Sequence, residues 1–324
     1  MGMTPPLNFC TLFDSQYLPR ALVLYHSLED AGEDFRLYVV CFDDPAYQAL
    51  AKLNLAKMVA IPLGTFETPQ LLAVKGQRSK AEYCWTCTSH VIRYVLDTYH
   101  LPDVTYLDAD LCFYENPSVL LKEFELSGAS VLITEHRYTT QYDQTLTSGI
   151  YCVQFMTFKA DTRGLAVLQW WQDRCLEWCF ARFEDGKFGD QKYLDDWMQR
   201  FEGVHVLQHL GGGVAPWNVQ QYKLSQKSGK LYVNESPLVF YHFHAYKYYR
   251  SGVHAFSPNY LISDEAVEIL YRPYARALLQ AHDELRSINT NFDSGFSNRG
   301  SLIIETAKMI KRKALGVFNE YRIG

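Results

Sequence analysis

The stretch Val104–Phe113, VTYLDADLCF, runs from an apolar segment straight into two aspartates, Asp108 and Asp110. Val104–Leu107 reads as a buried strand, rich in β-branched and aromatic residues, that ends on Asp108-Ala109-Asp110. In open α/β sheets, ligands bind beyond the carboxyl ends of strands. Two carboxylates set among Val104, Tyr106, Leu107, Leu111 and Phe113 repel each other unless a positive charge lies between them. A divalent cation that prefers oxygen ligands, Mg²⁺ or Mn²⁺, meets that need. The competing reading is a solvated Asp-x-Asp turn, a triplet common by chance.

Working outward, the chain alternates strand and helix. Asn8–Phe13 is a predicted strand, Tyr17–Leu28 a helix stopped by Gly32, Arg36–Phe42 a strand, Pro45–Leu55 a helix and Met58–Ile61 a strand. That order is the start of a doubly wound α/β fold. Pro62–Gly76 reads as a loop and Lys80–Tyr99 as a long helix. Beyond the Asp-x-Asp triplet, Ser130–Thr134 and Ser148–Phe158 are predicted strands, and Arg163–Arg182 a helix. Tyr193–Phe201 is a predicted helix, Val204–Leu207 and Leu238–Tyr241 are short strands, and Asp264–Ile288 is helical. Asn289–Gly300 reads as a linker and Ser301–Tyr321 as a final helix.

The 324 residues suffice for a large core in one or two domains. A net charge of -5 gives no basic field to attract nucleic acid, so no nucleic-acid partner is expected. No uninterrupted apolar run approaches the length of about 18 residues that a membrane span requires. The first residues carry no secretory pattern. Cys84-Trp85-Thr86-Cys87 is the one tempting thiol motif, but the polar segment before it does not resemble a thioredoxin strand. Cys175 and Cys179 make a poor second pair for zinc, so the eight cysteines are read as free structural thiols of a reducing cytosol.

The order of elements, with LDADLCFYENP at its centre, resembles glycosyltransferases of the GT-A fold, in particular bacterial enzymes near glycosyltransferase family 8. The resemblance spans about Asn8 to Tyr246. It implies an α/β fold: a GT-A, Rossmann-like mixed sheet flanked by helices, with residues 1–250 as the catalytic domain and 251–324 as a helical C-terminal extension. It also implies metal-dependent transfer of a sugar from a nucleoside-diphosphate donor, UDP by family default, to a glycan, lipid-linked or other hydroxyl acceptor. Asp108 would contact the ribose or the metal and Asp110 the metal, with Mn²⁺ or Mg²⁺ as the cofactor.

Further residues follow from the same resemblance. Asp14 and Tyr17, in FDSQY, stand where the family binds and stacks the base. A carboxylate suits base N–H donors and an aromatic face suits stacking, although Asp14 also fits a helix N-cap. Asp190 and Gln191, in GDQ, match the pair beside the transferred sugar, with a helix N-cap as the structural alternative for Asp190. His242, directly after the apolar LVFY, matches the third metal ligand, while His244 shares its strand face and stays open as an alternative. Trp217 is a candidate for a sugar face or for the core. Gly211-Gly212-Gly213 permits close backbone approach to a ligand but is not a dinucleotide fingerprint. The Lys-Pro-Trp signature that family 8 carries after its late His is absent after His242, so neither retention nor inversion of configuration follows.

Two rivals use the same residues differently. A sugar nucleotidyltransferase opens with a Gly-rich basic loop after its first strand, and FDSQYLPR has no Gly. A non-catalytic nucleotide-sugar-binding protein would have no need of the Asp-x-Asp pair. Residues 296–324 hold six basic and two acidic side chains beside an apolar stripe, as expected for peripheral contact with an anionic membrane surface or for packing on the domain. The expected location is cytoplasmic, peripheral at the inner face of the membrane.

Overall fold

Four parallel strands build one half of the central sheet. They are β1 (Leu7–Phe13), β2 (Phe35–Cys41), β3 (Met58–Pro62) and β4 (Asp103–Leu107). The computed structural model describes residues 6–32, 34–299, 310, 312, 317 and 319–323. Helices α1 (Leu18–Asp30) and α2 (Asp44–Leu53) connect the first three strands. Two short helices, α3 (Leu63–Phe66) and α4 (Pro69–Lys75), occupy the segment expected to be a loop. Thr68 caps α4, its hydroxyl accepting from Leu71 N at 3.3 Å. Helix α5 (Lys80–Tyr99) has the predicted bounds, because Ser79 and Glu82 form a capping box at one end and His100 turns left-handed at the other.

The second half carries β5 (Leu111–Phe113), α6 (Ser118–Ser127), β6 (Val131–Glu135), α7 (Thr145–Ser148), β7 (Tyr151–Lys159), α8 (Thr162–Glu177), α9 (Trp197–Arg200) and β8 (Val204–Val206). Sheet order is β3-β2-β1-β4-β7-β6-β8, with β7 alone antiparallel to its neighbours. The chain steps outward from β1 to β3 and then crosses back to β4, so the order reverses between β1 and β4, where α/β sheets bind ligands. Helices α5 and α8 pack on one face, with Trp171 and Trp197 wholly buried. Helices α1, α2 and α6 pack on the other.

The remaining strands are small. A hairpin of β9 (Leu224–Lys227) and β10 (Lys230–Val233) is extended by β11 (Ser236–Pro237). Then β12 (Phe240–His242) pairs antiparallel with β5, setting His242 opposite Leu111. Strands β13 (Lys247–Tyr248), β14 (Val253–Ala255) and β15 (Glu320–Arg322) form a three-stranded sheet. A continuous helical run leads from α10 (Asp264–Ala266) through a π turn into α11 (Arg272–Ile288), which packs on α1 within the larger core.

Several expectations change. The segment predicted as helix at 193–201 is a 3₁₀ turn, Gln191–Asp196, followed by α9. The strand expected from Ser148 begins at Tyr151, because Thr145–Ser148 is one helical turn and Gly149 has φ +104°. Asn289–Arg299 is packed rather than a free linker: Gly295 N donates to Gln16 Oε1 at 3.2 Å and Phe296 stacks on His282. Most of the expected helix at 301–321 lies outside the described residues, and the strand Glu320–Arg322 overlaps its end. Glu320 pairs with Arg299 and Arg312, two of the six basic residues of 296–324.

The triple glycine serves the chain itself. A Cβ at Gly211 would lie 1.9 Å from the Pro237 carbonyl oxygen, and one at Gly212 would lie 2.6 Å from Leu207. Their close approach is to backbone and core, not to a ligand, because the chain entering β12 is seated against them: Val239 N and Phe240 N donate to Gly211 O at 2.9 and 3.2 Å. We expect Gly211→Ala to destabilise the fold by about 2 kcal/mol or more. Gly229→Ala, left-handed but in open space, should cost only about 1 kcal/mol. Urea unfolding checks both, and equal costs would contradict this account.

Candidate functional site

A cleft of about 650 Å³ opens beyond the carboxyl ends of β1, β4 and β6. Asp108 follows β4 and Asp110 precedes β5, in the tight turn joining the two. The β5–β12 pairing then carries His242 over that turn, and Phe243 N donates to Asp110 O at 3.0 Å. Ligand-capable atoms of Asp108, Asp110 and His242 all lie within 4.8 Å of one another. His242 Nε2 is 3.1 Å from Asp110 Oδ1 and 3.7 Å from Asp108 Oδ2. Its other ring nitrogen, Nδ1, donates to Gln154 Oε1 at 2.8 Å, which directs Nε2 toward the carboxylates. Two carboxylates and an imidazole with a buried orienting partner suit a divalent ion, and the donor set fits Mn²⁺ or Mg²⁺. His244 stands at the mouth of the cleft, its ring 5.6 Å from that of His242 and outside the cluster.

Without a cation, these groups share charge among themselves. Burial opposes a proton on His242, but the Asp110 carboxylate beside it holds the imidazole pKa well above its usual value. Burial likewise opposes ionisation of Asp110, yet His242 pulls its pKa down to about 2. Asp108 is pushed up to about 6, by burial first and by Asp110, against the pull of His242. About 30% of the Asp108 side chain reaches the cleft, so entering solvent softens that shift.

Asp190 also lines the cleft. It is 5% exposed, its Oδ2 has no hydrogen-bond partner among the described residues, and its side chain does not cap the following turn. Burial, and then the nearby Asp108 charge, push its pKa up to about 7. A buried carboxylate with one oxygen unpaired beside a cleft is costly for the fold and available to a ligand. Gln191 donates through Nε2 to Ser148 O at 2.7 Å. Trp217 is buried: its Nε1 donates to His136 O at 2.9 Å and its ring stands edge-on to His242 and His244. It therefore braces the imidazoles.

At the β1 end, Asp14 accepts from Gln16 N at 2.9 Å and does not cap α1. It is ion-paired with Lys80, a cleft residue that the sequence did not single out. Asp43 pins the same loop, accepting from Ser15 N at 3.0 Å and from Ser15 Oγ at 2.9 Å. Tyr17 is 45% exposed and faces the cleft, with the Arg20 guanidinium 5.0 Å behind its ring. Tyr138, stacked on His136, and Thr88 also line the cleft and went unnoticed, as isolated polar and aromatic residues carry no local pattern. All eight cysteines are free. Burial holds the Cys84 thiol up at about 12, so it is no reactive thiolate.

No family model matches the chain. The Bacillus subtilis protein YfnD is 32% identical over 298 residues, 89% of this chain and 94% of YfnD. The chain belongs to the YfnD family. YfnF of the same organism is 34% identical over 248 residues, 74% of this chain and 81% of YfnF. Both relatives are described as uncharacterized proteins. Among solved structures, a galactosyltransferase, LgtC, in complex with donor and acceptor sugar analogs, aligns with 85% of this chain and 96% of its own. The TM-score is 0.54 at 13% identity. The glycosyltransferase GlyE of Streptococcus pneumoniae aligns with 91% of this chain and 66% of its own, at a TM-score of 0.51 and 12% identity. This member of the YfnD family thus has the GT-A fold, and its Asp-x-Asp pair with His242 forms a cluster that can hold a metal.

Two outcomes follow. Mn²⁺ should raise the Tm of the native protein, and Asp110→Asn or His242→Gln should abolish that rise; a persisting shift contradicts the cluster. In metal-free buffer, the raised pKa of Asp190 means that the folded state binds its proton more tightly than the unfolded chain. Stability is therefore lost as pH rises from about 4 to about 7. Asp190→Asn should stabilise the protein above that window by up to about 4 kcal/mol, and by less at lower pH. A pH-independent difference would contradict the assignment.

Proposed function

We propose that the chain is a metal-dependent glycosyltransferase that moves a sugar from a nucleoside-diphosphate donor, UDP-sugar first, to a hydroxyl acceptor on a glycan or lipid-linked carrier. The observation that carries the proposal is the Asp108–Asp110–His242 cluster at the strand-order reversal of a GT-A sheet, faced by the buried Asp190. A divalent ion bound there supplies positive charge for a diphosphate leaving group. Asp14 and Tyr17 hold the nucleobase, with Lys80 fixing the Asp14 carboxylate. Asp190 accepts hydrogen bonds from sugar hydroxyls once deprotonated, and Gln191 lies beside it. Trp217 acts through His242, by keeping the imidazole in place.

Residues 1–250 are the catalytic unit in this proposal and 251–324 its extension, since every cleft residue but Tyr260 falls in the first part. No helix among the described residues is long and apolar enough to cross a membrane. A cytoplasmic location, with the basic C-terminal segment at the membrane surface, belongs to the proposal. The other reading is a nucleotide-sugar-binding protein without turnover.

The test is Mn²⁺-dependent hydrolysis across a panel of UDP-, GDP- and CMP-sugars. We expect turnover with one nucleotide class, and a loss of about a hundredfold or more in Asp110→Ala. Binding without turnover would favour the non-catalytic reading, and full activity in Asp110→Ala would overturn the metal assignment.

A further inference from the structure

We infer that Lys192 and Asp195 are positioning residues that clamp the Gln144–Ile150 loop against the sugar end of the cleft. Asp195 Oδ1 accepts from Ile150 N at 2.7 Å. Lys192 Nζ donates to Thr145 O at 2.8 Å and to Asp195 Oδ2 at 2.7 Å. One ion pair thus grips the loop at both ends of α7. The pair is largely shielded, with 13% and 22% of the two side chains exposed.

Beyond the clamp, His136 N donates to Ile150 O at 2.9 Å at the end of the loop. Helix α7 is a single turn, too short to be stable alone, and its one large apolar residue, Leu146, is 85% exposed. Gly149 fits the same account. It adopts φ +104°, and a Cβ there would lie 2.9 Å from Asp195 Oδ1 and 3.5 Å from Lys192 Cα. The chain passes close enough to the clamp that a side chain is excluded. Gln191, adjacent to Lys192, adds its own bond to Ser148 O.

Sheet order assigns the loop its place. Along the carboxyl edge, the Asp14–Tyr17 loop follows β1, the metal cluster follows β4, and the clamped loop enters β7 beside the end of β6. Neighbouring strands are about 4.8 Å apart. A donor whose base lies at β1 and whose diphosphate lies at β4 therefore reaches this loop with its sugar. This assignment rests on the proposed donor chemistry; the clamp rests on the hydrogen bonds alone.

The experiment compares the native protein with Lys192→Met, Lys192→Arg and Gly149→Ala. Native-state hydrogen exchange reads the clamp without turnover. In Lys192→Met the amides of 144–150 should exchange at least about tenfold faster, with the rest of the chain and the Tm little changed. Unchanged exchange, or loss of protection throughout the chain, overturns the clamp. With the nucleotide-sugar that the native protein hydrolyses, kcat should fall roughly ten- to a hundredfold in Lys192→Met and Gly149→Ala. KM and UDP affinity should stay within about threefold, and Lys192→Arg should recover most of kcat. A raised KM at constant kcat overturns the placement at the sugar end. If no donor is hydrolysed by the native protein, the donor assignment fails, while the exchange result still upholds or overturns the clamp.

Discussion

The pairing of β5 with β12 is the constraint on which the site depends. Three residues of each strand meet, Leu111–Phe113 with Phe240–His242, and they join parts of the chain about 130 residues apart. The ribbon is held by burial: Phe113 and Phe155 pack on Phe240, and Tyr274 stacks on Phe243 at 3.6 Å. Each such ring contributes about 1.5–3 kcal/mol when removed from water. On its other side, β12 lies against the Gly211–Val214 segment, which only glycines allow so near. Without this ribbon, His242 would have no reason to stand over Asp108 and Asp110.

That burial sets an electrostatic problem. Asp108, Asp110 and Asp190 share one cleft with a protonated imidazole, and His242 satisfies Asp110 far more than the others. Asp108 and Asp190 are both left with raised pKa values, each through burial and a neighbouring carboxylate. A site that favours a proton on its carboxylates in isolation is one that gains from a cation. Stability is spent here on binding capacity, as is usual at functional sites.

Local patterns made much of the site legible. VTYLDAD declared both the strand and the carboxylates, and LVFY placed His242 at a strand end. The Ser79–Glu82 capping box fixed where α5 starts. What escaped were features whose cause lies elsewhere in the chain. Leu111–Phe113 is too short to show a period, and it is a strand only because β12 pairs with it. Gly211–Gly213 fits any close approach, and the sequence could not say that Pro237 was the partner. Asp14 suited an N-cap equally well until Lys80, 66 positions on, is seen to claim its carboxylate. Trp217 was open between a sugar face and the core; it is buried and bonded to His136 O, and it also lines the cleft.

The most direct measurement is an anomalous-scattering map from crystals grown with Mn²⁺ and UDP. The account predicts one strong manganese peak bound by carboxylate oxygens of Asp108 and Asp110 and by His242 Nε2, with the diphosphate completing its shell and the base beside Asp14 and Tyr17. A cleft holding the nucleotide with no metal between Asp108 and Asp110, or a metal ligated by His244 while His242 stays on Asp110, would contradict it.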